Sequence, residues 1–333
     1  MTLNHPTESS NRNNPPVLER ILSLWRSDPS VVESIANWQV VNPQPAHQET
    51  DEGIEADLAS ILRSQGIRRL YSHQYRAFQL YQQGKNLAVA TGTASGKSLC
   101  YQLPILSMLD RGSLTNALLI FPTKALTYDQ RNSLAQMISP ERKVFPQVYD
   151  GDTPSHLRSS IRKNARVLLT NPDMLHTAIL PHHTLWADFI RGLSLVVIDE
   201  IHVYRGVFGS HITNLIRRLK RICAFYGSSP QFIMTSATIS NPREHSERLI
   251  EAPVELIDRD GAEHGERNFI LYNPPLVNQE LGIRRSAMSE GIRLTGDLLH
   301  YGVQTLVFSQ TRRMTEIAVR YLRENCANVA ADI

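Results

Sequence analysis

Two short stretches of this chain hold residue types at spacings that suit phosphate chemistry. The first is Leu87-Ala-Val-Ala-Thr-Gly-Thr-Ala-Ser-Gly-Lys-Ser98, an apolar strand running through small residues into a helix that starts near Lys97. With little side-chain bulk at Thr91, Gly92, Thr93, Ala94, Ser95 and Gly96, backbone N–H groups can face inward around phosphate oxygens. The helix N-terminus adds partial positive charge. Lys97 is placed to reach the β- and γ-phosphates of a nucleoside triphosphate, and the Ser98 hydroxyl to ligate Mg2+. The strict pattern G-x-x-x-x-G-K-[ST] wants glycine where Thr91 stands, so the competing reading is a plain turn that binds nothing. A strand before, a helix after and Gly-Lys-Ser at the join favour the phosphate loop.

The second stretch is Leu195-Val-Val-Ile-Asp-Glu-Ile-His202. Two carboxylates at the end of an apolar strand are costly unless that edge uses them, and ligands of open α/β sheets bind at the C-terminal ends of the strands. Asp199 is expected to hold Mg2+, directly or through water. Glu200 is expected to orient and deprotonate the water that attacks a γ-phosphate. A lone histidine after a strand is commonly a structural hydrogen-bonder. Two residues from the acidic pair, His202 is assigned a coupling role.

The elements that must position these residues follow from the hydrophobic pattern. Short, predominantly apolar runs occur at 87–90, 117–121, 144–149, 167–169, 193–198 and 232–234. Such runs suit strands of a parallel sheet covered on both faces. Helical patterns over roughly 97–110, 124–138, 155–164 and 210–226 separate most of them, and shorter ones lie at 17–25 and 56–64. Strand–helix alternation of this kind predicts an α/β, doubly wound, mostly parallel sheet. The expected organisation is an N-terminal extension over 1–54, disordered over 1–16, an ATP-binding domain over 55–255, and a third region over 256–333. In that last region 252–287 reads as a strand-poor connection, followed by a helix near 287–301, a strand at 305–308 and a helix near 312–325.

The bulk numbers restrict the class further. The chain has 333 residues, 41% hydrophobic and 20% charged, enough to bury a sizeable core. A net charge of +3 is too small to argue for a polyanion partner by itself. Cys100, Cys223 and Cys326 are far apart and form no C-x-x-C pair, which speaks against a zinc site or a disulfide framework and for a reducing cytoplasm. Residues 1–16 lack the apolar stretch of a signal peptide, and no apolar run approaches the ~18–20 residues of a membrane span. His182 and His183 lack further ligand spacing, and Cys100 reads as a small buried residue.

With these residues in view the chain resembles the superfamily 2 helicases of the DEAD/DEAH-box type. Asp199-Glu-Ile-His202 resembles their motif II, and Thr91–Ser98 their motif I. Gln74, in Tyr71-Ser-His-Gln74, matches the glutamine that reads adenine in that family. Pro122-Thr-Lys-Ala-Leu126 resembles motif Ia, Thr170-Asn-Pro-Asp-Met174 motif Ib, and Ser236-Ala-Thr238 motif III. Through Ser236 and Thr238, motif III would link the ATP site to the nucleic-acid site. The order of six motifs implies a RecA-like P-loop NTPase with ATP and Mg2+ as cofactors. Asp199-Glu-Ile-His-Val-Tyr-Arg-Gly-Val-Phe-Gly-Ser-His211, Tyr149-Asp-Gly-Asp-Thr153 and Tyr272-Asn-Pro-Pro275 are similar to the bacterial MrfA-type DNA-repair helicases, over about residues 60–325. That resemblance implies ATP-driven movement on single-stranded DNA in repair.

Thr123, Lys124, Thr170 and Asn171 lie just past strand ends, as phosphate-contacting motifs Ia and Ib do in that family. Arg205 follows the acidic box. Arg217, Arg218, Lys220 and Arg221 form a basic cluster that is either a solvated helix face or a DNA contact. Leu306-Val-Phe-Ser-Gln-Thr311 resembles motif IV, the opening strand of a second RecA-like lobe. No motif V, motif VI or four-cysteine C-terminal domain follows, so that lobe is expected to be incomplete. The chain then reads as truncated, or as half of a split protein completed by a second polypeptide. Three functions fit: a helicase or translocase, an ATP- and nucleic-acid-binding module with little hydrolysis of its own, and a non-helicase P-loop DNA translocase subunit.

Overall fold

Residues 17–49, 53–111, 115–138 and 142–325 are described by a computed structural model. The expectations for residues 1–16 and for Cys326 lie outside them. Contacts divide the chain into a unit spanning Gln44–His264 and a second that joins residues up to Pro43 with those from Gly265 onward.

The larger unit is built on a seven-stranded sheet. From edge to edge its strands are Glu255–Ile257, Leu87–Ala90, Gln231–Ser236, Leu193–Ile198, Asn116–Ile120, Val167–Thr170 and Gln147–Val148, with every neighbouring pair parallel. Successive residues of a strand point to opposite faces, so each apolar strand feeds two cores. Leu87, Val89, Leu119, Leu169 and Val197 pack with Phe78 and Leu103 on one side. Ala88, Leu118, Leu168, Val196 and Ile198 pack with Trp186 and Ile216 on the other. Full burial of a Leu or Ile side chain contributes about 1.5–3 kcal/mol, which explains runs without polar alternation. The helices Ser72–Gln82, Leu99–Arg111, Lys124–Met137, Ser155–Asn164, Gly206–Phe225 and Pro242–Ile250 cover the two faces.

The fold is thus the expected doubly wound α/β sheet, and several boundaries coincide with the pattern, among them Leu87–Ala90, Leu193–Ile198, Ala56–Ser64 and Ser155–Asn164. Three expectations need correction. The apolar run 144–149 keeps only Gln147–Val148 as strand; Pro146 just before it has no N–H to give a ladder. Residues 252–287 are not strand-poor: Glu255–Ile257 forms the sheet edge beside Leu87–Ala90, and Arg267–Tyr272 pairs antiparallel with Ile35–Val41. The partners lie far apart along the chain, where local periodicity has no signal. Residues 305–308 form no strand. No described segment offers them a ladder, and Leu306 and Phe308 stand 79% and 87% exposed.

In the second unit the helix Val17–Ser27 and the strand Ile35–Val41 join the helices Ala287–His300 and Arg312–Asn325. Trp25 donates its indole N–H to Asp297 at 3.1 Å, and the Arg26 guanidinium lies 4.4 Å from the Trp38 ring centre. Among the described residues no helix is long and apolar enough to cross a membrane.

Candidate active site

In a parallel sheet all C-terminal strand ends open on one edge, so pairing decides which residues meet there. Ala90 pairs with Ser236, and Ile198 with Met234. The phosphate loop, the acidic box and the Ser236-Ala-Thr238 box, distant in sequence, therefore leave three adjacent strands.

The loop is shaped by backbone conformations that most residues avoid. Ala94 and Gly96 have φ of 62° and 79°, and a β-carbon at Gly96 would lie 2.6 Å from Gln74 Nε2. Gln74 itself donates from Nε2 to the Gly96 carbonyl at 3.1 Å and accepts the Tyr71 N–H at 3.0 Å. Thr91, standing where the strict pattern has glycine, is buried with its hydroxyl 2.7 Å from that of Ser95, so it closes the loop from within. Lys97 Nζ donates to the carbonyls of Thr91 at 3.1 Å and Gly92 at 2.7 Å. Gly92, Thr93, Ala94, Gly96 and Ser98 keep at least partial exposure, while Ser95 is buried. Beside the loop lies a groove of ≈ 570 Å³ lined by Gln74, Tyr71, Leu99 and the stretch Gly66–Arg69. Ile67, Arg68 and Arg69 carried no sequence signal beyond standing just before Gln74.

The acidic box joins burial with strain. Asp199 is 8% exposed and accepts the Thr235 hydroxyl and, at 3.0 Å, the Glu200 N–H. Burial raises its carboxyl above the ordinary 3.8, and the neighbouring Glu200 charge works the same way, while the Thr235 hydrogen bond opposes them. Thr235 was missed in the sequence; its one signal is that it immediately precedes Ser236. Glu200 sits in the left-handed region at φ 53°, a strain that non-glycine residues tolerate only where the surroundings enforce it. Its Oε2 is buried without a hydrogen bond, although His202 Nδ1 lies 3.1 Å away. The same Nδ1 is 3.3 Å from the Ala237 N–H, which donates to it. A single ring nitrogen thus stands between the acidic box and the box at 236–238. With the ring hydrogen on Nε2 it accepts from Ala237, and with the hydrogen on Nδ1 it donates to Glu200. Ser236 Oγ is buried without a partner, whereas Thr238 is exposed.

These residues fit a magnesium–nucleotide complex on three counts. The Ser98 hydroxyl and the Asp199 carboxylate are the hard oxygen donors that Mg2+ selects. The loop has its glycine where a β-carbon would meet Gln74. Buried polar atoms of Glu200 and Ser236 lack a hydrogen bond among the described residues. Asp260 adds a carboxylate behind the loop, 3.1 Å from where a β-carbon of Gly92 would stand, and it is bound to His264 at 3.0 Å. The sequence offered no sign of it.

The residues expected to meet nucleic acid behave differently. Thr123 caps the helix Lys124–Met137, its hydroxyl accepting the Leu126 N–H at 3.4 Å, and Asn171 caps the next short helix through Met174 N–H at 2.9 Å. Lys124 is exposed and pairs with Asp152 at 2.6 Å. Thr170 departs from the expectation: it is fully buried, and its hydroxyl donates to the Tyr149 carbonyl at 2.7 Å, which leaves no side-chain group for a phosphate. Arg205 is exposed at the start of the helix Gly206–Phe225. His183 packs on Phe225 and Tyr226, its Nδ1 2.8 Å from the Tyr226 hydroxyl. Burial pushes the Cys100 thiol up to about 12.

Comparison with known proteins places the chain in a family. The DEAD/DEAH box helicase family model matches residues 71–245. A Bacillus subtilis protein named as an uncharacterized ATP-dependent helicase, YprA, is 47% identical over 296 residues, covering 88% of this chain and 39% of that protein. The ATP-dependent helicase HRQ1 of Saccharomyces cerevisiae is 39% identical over 286 residues, 84% of this chain and 27% of its own. Among solved structures, the DUF1998 helicase MrfA bound to DNA and AMPPNP superposes with a TM-score of 0.87 at 44% identity, covering 93% of this chain and 43% of that one. The chain therefore spans less than half the length of these relatives.

Proposed function

The chain belongs to the DEAD/DEAH box helicase family, and from that premise we propose that its unit Gln44–His264 binds ATP with Mg2+ and hydrolyses it to move along DNA. The observation that carries this reading is the pair of contacts of His202 Nδ1, 3.1 Å from Glu200 Oε2 and 3.3 Å from the Ala237 N–H. One nitrogen joins the residue that would activate water to the box that would report on nucleic acid. DNA as the polymer is supported by the MrfA structure, solved with DNA and a nucleotide. Work in DNA repair, single-stranded DNA as the track and a second polypeptide as partner belong to the same proposal, as does a reducing cytoplasm, where the buried thiols of Cys100 and Cys223 stay free.

In this reading the residues divide the work as follows. Gln74 and Tyr71 face the adenine from the groove beside the loop. Backbone N–H groups of 92–98 and the Lys97 ammonium hold the phosphates. Ser98 and Asp199 hold the metal. When bound, Mg2+ supplies positive charge that offsets the negative charge growing on the phosphoryl oxygens. Glu200, with an unbonded carboxylate oxygen, accepts the proton of the attacking water. Ser236 and Thr238, through Ala237 and His202, sense the occupied track. There Lys124, Arg205 and the capped helix ends at Thr123 and Asn171 meet the backbone phosphates.

The test is ATP turnover by the purified chain with and without single-stranded DNA, beside Lys97→Ala. The expected result is DNA-stimulated turnover in the parent and loss of triphosphate binding in the variant, with the melting temperature retained. Unchanged ATP binding in Lys97→Ala would sink the assignment of the loop.

A further inference from the structure

The basic cluster on the helix Gly206–Phe225 divides into a pair tied to neighbouring groups and a pair that is not. Arg217 is bound to the Glu251 carboxylate and to Asn214 Oδ1 at 2.6 Å, and Lys220 donates to the Ile250 carbonyl at 2.6 Å. Those two tie the helix to the end of Pro242–Ile250. Arg218 and Arg221 have no carboxylate or carbonyl partner among the described residues. They line a groove of ≈ 590 Å³ between this helix and the segment that begins at Pro172. Phe208 and His211 precede them on the same side at helical spacing, and His176 and Asp173 face them from the other wall. Phe208 is 45% exposed for so large an apolar group.

The groove opens at Pro172, immediately beyond Asn171, where the nucleic-acid track of the proposed function ends. Its cations outnumber its one acidic residue, Asp173, so it favours a polyanion. An exposed ring followed along one helix by unpaired guanidiniums is the combination by which proteins hold single strands, bases stacking on the ring and phosphates on the cations. Phe208 and Arg221 lie about 20 Å apart along the helix at ~1.5 Å per residue, room for several nucleotides. We propose that this groove extends the track: single-stranded nucleic acid passing Asn171 stacks a base on Phe208 and sets its phosphates against Arg218 and Arg221. The inference rests on the nucleic-acid reading above and adds a segment that none of the helicase motifs includes.

The experiment measures fluorescence anisotropy of the full 333-residue chain with two labelled oligothymidylates. One is short enough to cover only the strand-end positions, and the other is long enough to pass them. In the double variant Arg218→Ala/Arg221→Ala the long oligonucleotide is expected to bind about tenfold more weakly, with the short one unchanged. The slope of log affinity against log salt should fall by about 1.4 for two lost phosphate contacts on a single strand. Phe208→Ala should weaken only the long oligonucleotide and leave the salt slope alone. Arg218→Lys/Arg221→Lys should restore the slope, which separates lost charge from a damaged fold. Equal loss for both oligonucleotides, or none for either, overturns the groove while leaving the motif track in place. Failure of the parent chain to bind either one overturns the nucleic-acid reading itself. If polyglutamate competes with the long oligonucleotide and Phe208→Ala is inert, the groove receives an acidic protein and the proposal falls.

Discussion

Glu290 and Asp199 are both buried carboxylates, 2% and 8% exposed, and the protein surrounds them in opposite ways. Glu290 has a partner for each oxygen. Tyr272 and Arg293 donate to Oε2 at 2.7 and 3.0 Å, and Arg285 to Oε1 at 2.9 Å. Burial works to raise its carboxyl, but these hydrogen bonds and the arginine charge outweigh it and hold the group below the ordinary 4.5. Asp199 has no cation bonded to it among the described residues, has Glu200 beside it, and lies above its ordinary value. The residue that follows is strained and has an unbonded oxygen. A buried charge with every partner supplied by the chain is architecture. A buried charge left next to another of like sign, on a strained backbone, is explained by chemistry performed there.

This contrast can be broken most decisively at Glu200. Glu200→Gln keeps shape and removes the base, so ATP turnover should fall about 10²–10⁴-fold while nucleotide binding and thermal stability are retained. Persistent hydrolysis would move the catalytic base elsewhere. Glu290→Gln should do the reverse. It leaves the arginines without their anion and should cost about 2 kcal/mol of stability in chemical denaturation, with no change in nucleotide affinity. Its pH dependence sharpens the point. A folded pKa below the unfolded one contributes stability that is complete above 4.5 and is lost as pH falls through the depressed folded value. The difference in stability between parent and Glu290→Gln should therefore shrink on acidification below 4.5. A difference that grew there would show that Glu290 is not held as an anion. The smallest effect is expected at Asn171, whose side chain serves a cap: Asn171→Ala should cost about 1 kcal/mol. Its affinity for single-stranded DNA, measured by anisotropy, should change little, because the neighbouring backbone groups remain. A large loss of affinity with no loss of stability would return Asn171 to the direct contacts.

The phosphate loop and the acidic box were legible because their chemistry is local. Gly96-Lys97-Ser98 after an apolar strand, and Asp199-Glu200 after another, need only their own neighbours to be recognised. Thr91 shows the limit of a pattern: the strict motif rejects it, and its buried bond to Ser95 explains why it is tolerated. Thr170 shows the opposite failure. Its position at a strand end suggested exposure, and only the pairing with Gln147–Val148, which sets the Tyr149 carbonyl within reach, explains its burial.

What the sequence determined by itself is everything set by short-range regularity. It placed the doubly buried strands, the helices between them, and the residue types that can hold phosphate and metal. The tertiary structure decided what depends on who meets whom. It put Glu255–Ile257 beside the phosphate-loop strand, joined Ile35–Val41 to Arg267–Tyr272, and brought His202 within reach of both Glu200 and Ala237. It also bound Arg217 of one helix to Glu251 and Asn214 while leaving Arg218 and Arg221, which line the same groove, without such partners among the described residues. The strand pairings, the His202–Ala237 contact and the Arg217–Glu251 pair each span a separation along the chain over which side-chain periodicity carries no information. Only the packing of the whole sheet and its helices selects among the partners a residue could have had.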